Sequence, residues 1–226
     1  MLPDLEAIVV REASPFAERA QALNALLRTG EPGKAAAIAA FQKLGKSGGA
    51  RRLRSEIILA FYGEKFGVSD VVALVNESLD ADDTVDAGIF NAVADQIPVQ
   101  DLSAVLDGVN APSANDQPGL ANWEGGNFYS RILVRAWQSP DGFDAGRALG
   151  WLRKRIAFKR GASERRARGL QAAMAETPDR LREIAHHFFK TLEPDEARWL
   201  GVGRFREAIY LLLTTEQLLG IVILHL

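Results

Sequence analysis

The chain of 226 residues is long enough for one large domain or two small ones, and its 47% apolar and 25% charged residues match an ordinary globular protein. The absence of cysteine excludes a disulfide framework, a cysteine-held metal and a thiol nucleophile, and it fits a reducing compartment. A formal net charge of −2 conceals a segregation: positions 66–130 hold eleven acids and no Lys or Arg, whereas positions 147–168 hold nine cations and one acid, Glu164.

Apolar residues recur at helical spacing almost everywhere, and strict strand-like alternation is hard to find. From the N-terminus, helices are predicted near 3–11, 15–29, 33–44, 51–66, 69–79, 84–97 and 99–109. Phe16, Ala20, Leu23 and Leu27 form one stripe; Val71 or Val72, Val75 and Leu79 form another, followed by Ile89, Val93 and Ile97. Ser14-Pro15 reads as an N-cap with proline in the first turn, and Gly30 as a left-handed helix end. Ser69-Asp70 opens a helix after Gly67. After a connection rich in Asn, Pro, Ser and Gly at 111–122, further helices are predicted near 125–138, 144–160, 163–175, 178–192, 195–213 and 215–225. Thr177-Pro178-Asp179 and Glu193-Pro194-Asp195-Glu196 each end one helix and begin another.

This pattern predicts an all-α protein. Two-helix units begin near Pro15, Arg51 and Thr84, about 33–36 residues apart, the size of a helical-hairpin repeat. The 144–160 helix is apolar on two sides, with Leu149, Leu152 and Ile156 on one and Trp151 and Phe158 nearly opposite, as in a helix sandwiched between neighbours. The expected architecture is a right-handed or irregular α-solenoid of stacked hairpins, with a compact bundle as the competing form. Acidic repeats at 1–110 (10 cations, 16 acids) lead through 111–122 to a basic array at 123–226.

Several motifs reduce to structure. Ala40-Phe41-Gln42-Lys43-Leu44-Gly45-Lys46-Ser47 matches a relaxed phosphate-loop pattern. A phosphate loop needs a strand before it, and this segment follows a predicted helix. A helix end at Gly45 and a Lys46-Ser47-Gly48-Gly49 turn account for it. His186 and His187 are adjacent, so on a helix they diverge by about 100° and do not face one metal. Asp80, Asp82, Asp83 and Asp86 surround a helix start and lack the spacing of a calcium loop. No cofactor, metal or catalytic set is expected.

The basic run remains. It comprises Arg147, Arg153, Lys154, Arg155, Lys159, Arg160, Arg165, Arg166 and Arg168, interleaved with Trp151 and Phe158. Cations release counterions from nucleic acid and aromatics stack on bases. Here, though, the cations encircle the helix axis instead of lining one face. A solvated corner, or docking onto the acidic 66–130 surface within or between molecules, explains the run as well. Arg153, Lys154, Arg155, Lys159, Arg160, Arg165, Arg166, Arg168 and Trp151 are the candidate partner-binding residues.

The second half, with Phe128-Tyr129-Ser130-Arg131-Ile132-Leu133-Val134-Arg135-Ala136-Trp137, the Pro140-Asp141 start, Ala148-Leu149-Gly150-Trp151-Leu152-Arg153, the Ser163 to Arg168 segment, Trp199-Leu200 and Leu213-Thr214-Thr215-Glu216-Gln217-Leu218-Leu219, resembles a known class. It is similar to the degenerate HEAT-like arrays that follow the nucleotide-binding module in large bacterial STAND/NACHT-type NTPases. Those proteins act as sensors, often in defence against phage. The resemblance implies a sensor or regulatory array without catalytic residues of its own, working with adjoining domains or a protein partner. The chain carries no NTPase module, and its apolar 218–226 end suits a following repeat or an oligomer contact through 214–226, as expected of a fragment. No secretory signal is read at residues 1–6, and no apolar window reaches the roughly 18 residues of a membrane span. A cytoplasmic, non-enzymatic interaction domain is the leading expectation; a HEAT-like nucleic-acid-binding protein using 147–168 is the alternative.

Overall fold

A computed structural model describes residues 1–80, 93–111, 120–139, 143–158 and 164–190. Among them every regular element is helical, in accord with the all-α expectation, and the strand-type pairing is confined to an isolated Tyr62–Phe66 bridge. The chain divides into two units, Met1–Gln96 and Ile97–Leu226.

Unit 1 contains α1 (Leu2–Val10), α2 (Phe16–Arg28), α3 (Glu31–Lys43), α4 (Gly48–Ala60) and α5 (Val68–Asp80), and residues 93–96 are helical. The first three helices pack mutually; α4 leans on α2 and α3 and carries α5. Ala37 and Ala40 let α3 approach closely, and Leu23, Leu26, Leu53, Ile57, Ile58 and Leu74 fill the core. The buried stripe of α2 is Arg19, Ala22, Leu23 and Leu26. It lies one position off the expected Phe16, Ala20, Leu23, Leu27 face, because an arginine takes an inward place.

Helix ends follow local chemistry, with four departures from expectation. Pro15 itself, not Ser14, is the N-cap of α2. Gly30 has the positive φ (72°) expected of it, but it serves as the N-cap of α3 instead of closing α2, which ends at Thr29. The predicted 51–66 helix runs from Gly48 to Ala60. Ser47 caps it, its Oγ accepting from Ala50 N at 3.4 Å, so Gly48 and Gly49 form its first turn. At the other end Gly63 (φ 81°) turns the chain between Tyr62 and Phe66. Asp70 Oδ2 accepts from Gly67 N at 2.9 Å, so this acid reaches back to open α5. Asp80 ends α5 instead of starting a helix, and Asp82, Asp83 and Asp86 lie outside the described residues.

Unit 2 holds a short 3-10 turn (Val99–Asp101) leading into α6 (Leu102–Gly108), then α7 (Leu120–Gln138), α8 (Ala145–Ala157), α9 (Glu164–Ala175) and α10 (Pro178–Lys190). Its heaviest contacts join alternate helices, α7 to α9 and α8 to α10; α6 also packs on α7, so the 111–122 connection does not separate them. Residues 124–130 of α7 are all buried, and Phe128, Tyr129, Ile132, Leu133 and Trp137 carry the core. The Tyr129 ring stacks on Phe158 at 5.4 Å, and Trp137 Nε1 donates to Thr177 Oγ1 at 2.7 Å. Thr177 and Pro178 thus separate α9 from α10 and brace both against α7. The predicted helices at 195–213 and 215–225 lie outside the described residues.

Candidate partner-binding segment

The α8 helix is set locally by Asp144, whose Oδ1 accepts from Arg147 N at 2.7 Å. Residues 147, 151, 154 and 158 follow one another at helical spacing and form a face. Along that face α8 meets the C-terminal end of α6. The helix is apolar on both sides as expected, with Ala148, Leu149, Trp151, Leu152 and Phe158 all buried.

Asp107, in the last turn of α6, is the hub of the contact. Its Oδ1 accepts from Trp151 Nε1 at 2.6 Å, and its Oδ2 pairs with the Arg147 guanidinium. That guanidinium also lies over the Trp151 ring, 5.6 Å from its centroid. Lys154 Nζ donates to three carbonyl oxygens, those of Leu106, Asp107 and Val109. Those carbonyls belong to a helix end that has no basic residue of its own in its last turn. Lys154 therefore caps α6 from another helix.

Burial pushes the Asp107 carboxyl up, but the Trp151 N–H and the Arg147 and Lys154 charges outweigh it and hold the group below the usual carboxylate range. Burial lowers the Lys154 ammonium against the opposing pull of Asp107. Tyr129, whose hydroxyl donates to Leu106 O at 3.2 Å, has its phenol pushed far up by burial and secondarily by Asp107, so it stays neutral.

The nine candidate residues therefore separate. Trp151, 5% exposed, and Lys154 are contacts inside unit 2, not a face offered to a partner. At Asp107 one ion pair joins the acidic and basic segments within unit 2. Arg153 and Arg155 are half-buried on α8, and burial lowers the Arg155 guanidinium. Arg165, Arg166 and Arg168 sit on α9; Lys159 and Arg160 lie outside the described residues. His187, half-buried, packs against the start of α8, where Gly146 leaves it room: its Nε2 is 3.0 Å from where a Cβ would stand.

Sequence reasoning missed three features. Arg19 is buried in unit 1. Glu124 and Asn127, 5% and 4% exposed, are a buried carboxylate and amide one turn apart on α7. The signal for the last pair was an acid and an Asn flanking Gly125-Gly126 just ahead of the apolar Phe128-Tyr129 pair. In unit 1 Lys46, Arg51, Ala73, Asn76, Glu77 and Asp80 line an open cleft of about 500 Å³. Among the described residues no three metal-ligating side chains converge, and no helix is long and apolar enough to cross a membrane. No family model, curated protein or solved structure matches the chain.

Proposed function

We propose that this chain is a non-enzymatic helical-repeat domain that recognises a protein partner or adjoining domains, in the manner of a HEAT-like sensor or regulatory array. The observation that carries the reading is the alternate-helix packing of unit 2. The packing of α7 against α9 and of α8 against α10 is the contact pattern that stacked hairpins would make. Arrays of this type present extended surfaces to partners. The cations of α9, Arg165, Arg166 and Arg168, are the part of the basic run assigned to an acidic partner, since Arg147, Trp151 and Lys154 serve the fold. The resemblance to arrays of bacterial STAND/NACHT-type defence NTPases extends the proposal to a regulatory role in a larger cytoplasmic system, with 214–226 as an oligomer contact.

The test is charge reversal on α9. Arg165→Glu with Arg166→Glu abolishes salt-sensitive association with a crosslinked and identified partner while the helical circular dichroism is unchanged. Association that survives the double reversal refutes the assignment. Fluorescence anisotropy with duplex and single-stranded DNA at two salt concentrations examines the alternative. Binding that weakens steeply with salt and vanishes in the same variant replaces the protein partner with nucleic acid.

A further inference from the structure

We propose that the N-terminus of α4, together with Arg19, is a binding site for a phosphate-type oxyanion. The first N–H groups of any helix lack an acceptor within it, and the helix dipole makes that end positive. In α4 the Ala50 N–H is taken by Ser47 Oγ and the Arg51 N–H by Ser47 O at 2.8 Å. The N–H groups of Gly48 and Gly49 have no acceptor among the described residues, and both glycines are partly exposed.

The second observation is independent of the helix end. Arg19 is 3% exposed, and its one hydrogen bond runs from Nε to Val9 O at 2.8 Å. Its Nη2 is buried with no partner, and no carboxylate among the described residues pairs with it. Its Nη1 lies 3.8 Å from the point where a Cβ on Gly49 would stand. The Nη1 edge of this guanidinium thus lies beside the first turn of α4. Leaving such a charge unpaired is costly, and placing it beside a helix N-terminus adds to the cost. A compact oxyanion at this point offsets the charge, accepting from Arg19 Nη1 and from the two glycine N–H groups.

The surroundings select the ligand's size. Lys46 and Ser47 are exposed beside Gly48 and Gly49, and Lys46 also lines the open cleft of unit 1. Glu12 occupies the same loop at Gly45, where its Oε1 lies 2.4 Å from a would-be Cβ, so the rim disfavours an extended polyanion. The segment before the loop is α3, a helix, so the site lacks the strand of a nucleotide-hydrolysing phosphate loop. The ligand class is therefore free phosphate or a small phosphate monoester.

The test uses the full chain. Thermal unfolding and calorimetry are followed in sodium phosphate and in glycerol phosphate, each against sodium chloride of equal ionic strength. The expected result is a rise in Tm with phosphate and none with chloride, and the ratio of the two phosphate affinities tells free ion from ester. Arg19→Met should weaken phosphate binding by roughly 10–100-fold, the worth of a charge-assisted hydrogen bond. Gly48→Pro removes one N–H at the first helical position, where proline is favoured and the preceding Ser47 is already extended (φ −62°, ψ 156°). It should weaken phosphate binding while the helix content holds. Absence of a phosphate-specific shift at millimolar concentrations overturns the proposal, as does an unchanged phosphate affinity in both variants.

Discussion

The acidic stretch at 66–130 is used differently in the two units. In unit 1, Glu77 of α5 closes a bidentate pair with Arg54 of α4, at 2.8–3.1 Å, and the two side chains are only 20% and 14% exposed. In unit 2, Asp107 pairs with Arg147 where both are about half exposed (47% and 48%). The same chemistry has different worth in the two places. A water-screened pair contributes little, so the strength at Asp107 resides in the buried Trp151 N–H and the Lys154 cap. A sheltered pair contributes through what its loss would strand. Charges that look segregated along the sequence are thus spent on partners: Glu77 reaches 23 positions back, and Asp107 reaches 40 positions forward.

Five substitutions test this contrast, beginning with the largest expected effect. Trp151→Ala should cost about 3–5 kcal/mol in denaturant unfolding, since it empties a buried aromatic site and removes the N–H donor to Asp107; a loss under about 1 kcal/mol would place Trp151 at the surface. Arg54→Ala should cost about 2–3 kcal/mol, because Glu77 is left sheltered and unpaired. A Glu77→Gln change made with it should recover part of that loss. Asp107→Asn should cost less, about 1–2 kcal/mol, and its effect should depend on pH. The folded carboxyl lies below its unfolded value of about 3.9. Its contribution is therefore present above that value and is lost as pH falls through the folded one. Wild-type and Asp107→Asn stability curves should converge below about pH 4 and separate above it; curves that stay parallel contradict the hub. Arg147→Ala, the exposed half of the same contact, should cost under about 1 kcal/mol.

Glu56 offers a contrast of opposite sign. It is half-buried on α4, and burial raises its carboxyl despite the nearby Arg52 charge. A raised acid favours the fold when protonated, and that favour is lost as pH rises through the folded value. Glu56→Gln should therefore stabilise slightly at pH 7, by under about 1 kcal/mol, and the gain should vanish in acid. A decrease in Tm at pH 7 would mean that attraction to Arg52 outweighs burial.

Most helices were legible beforehand because their signals are local. The 15–29, 69–79 and 178–192 predictions meet helices at 16–28, 68–80 and 178–190, each marked by period, proline or acid within a turn of its end. The α4 boundaries were not, since Gly48 and Gly49 read as breakers but lie within the first turn, and the Phe61–Phe66 stretch read as helix until Gly63 turned it. In the candidate segment the run of cations was legible and its allocation was not. Trp151 and Asp107 are 44 positions apart, and no local pattern couples them. Arg19 was hidden for a related reason: an arginine at an inward position breaks the apolar stripe, so the stripe was drawn one place away.

Composition and periodicity alone establish an all-helical chain, free of cysteine chemistry, with its acids and cations in separate blocks. They can do so because helix formation is decided among residues within a turn or two of each other. Which of those charges face inward, cap a distant helix or stand beside a helix end came only from packing. An ion pair or a cap across helices exists only once the apolar faces have met, and its worth follows from how far those faces exclude water.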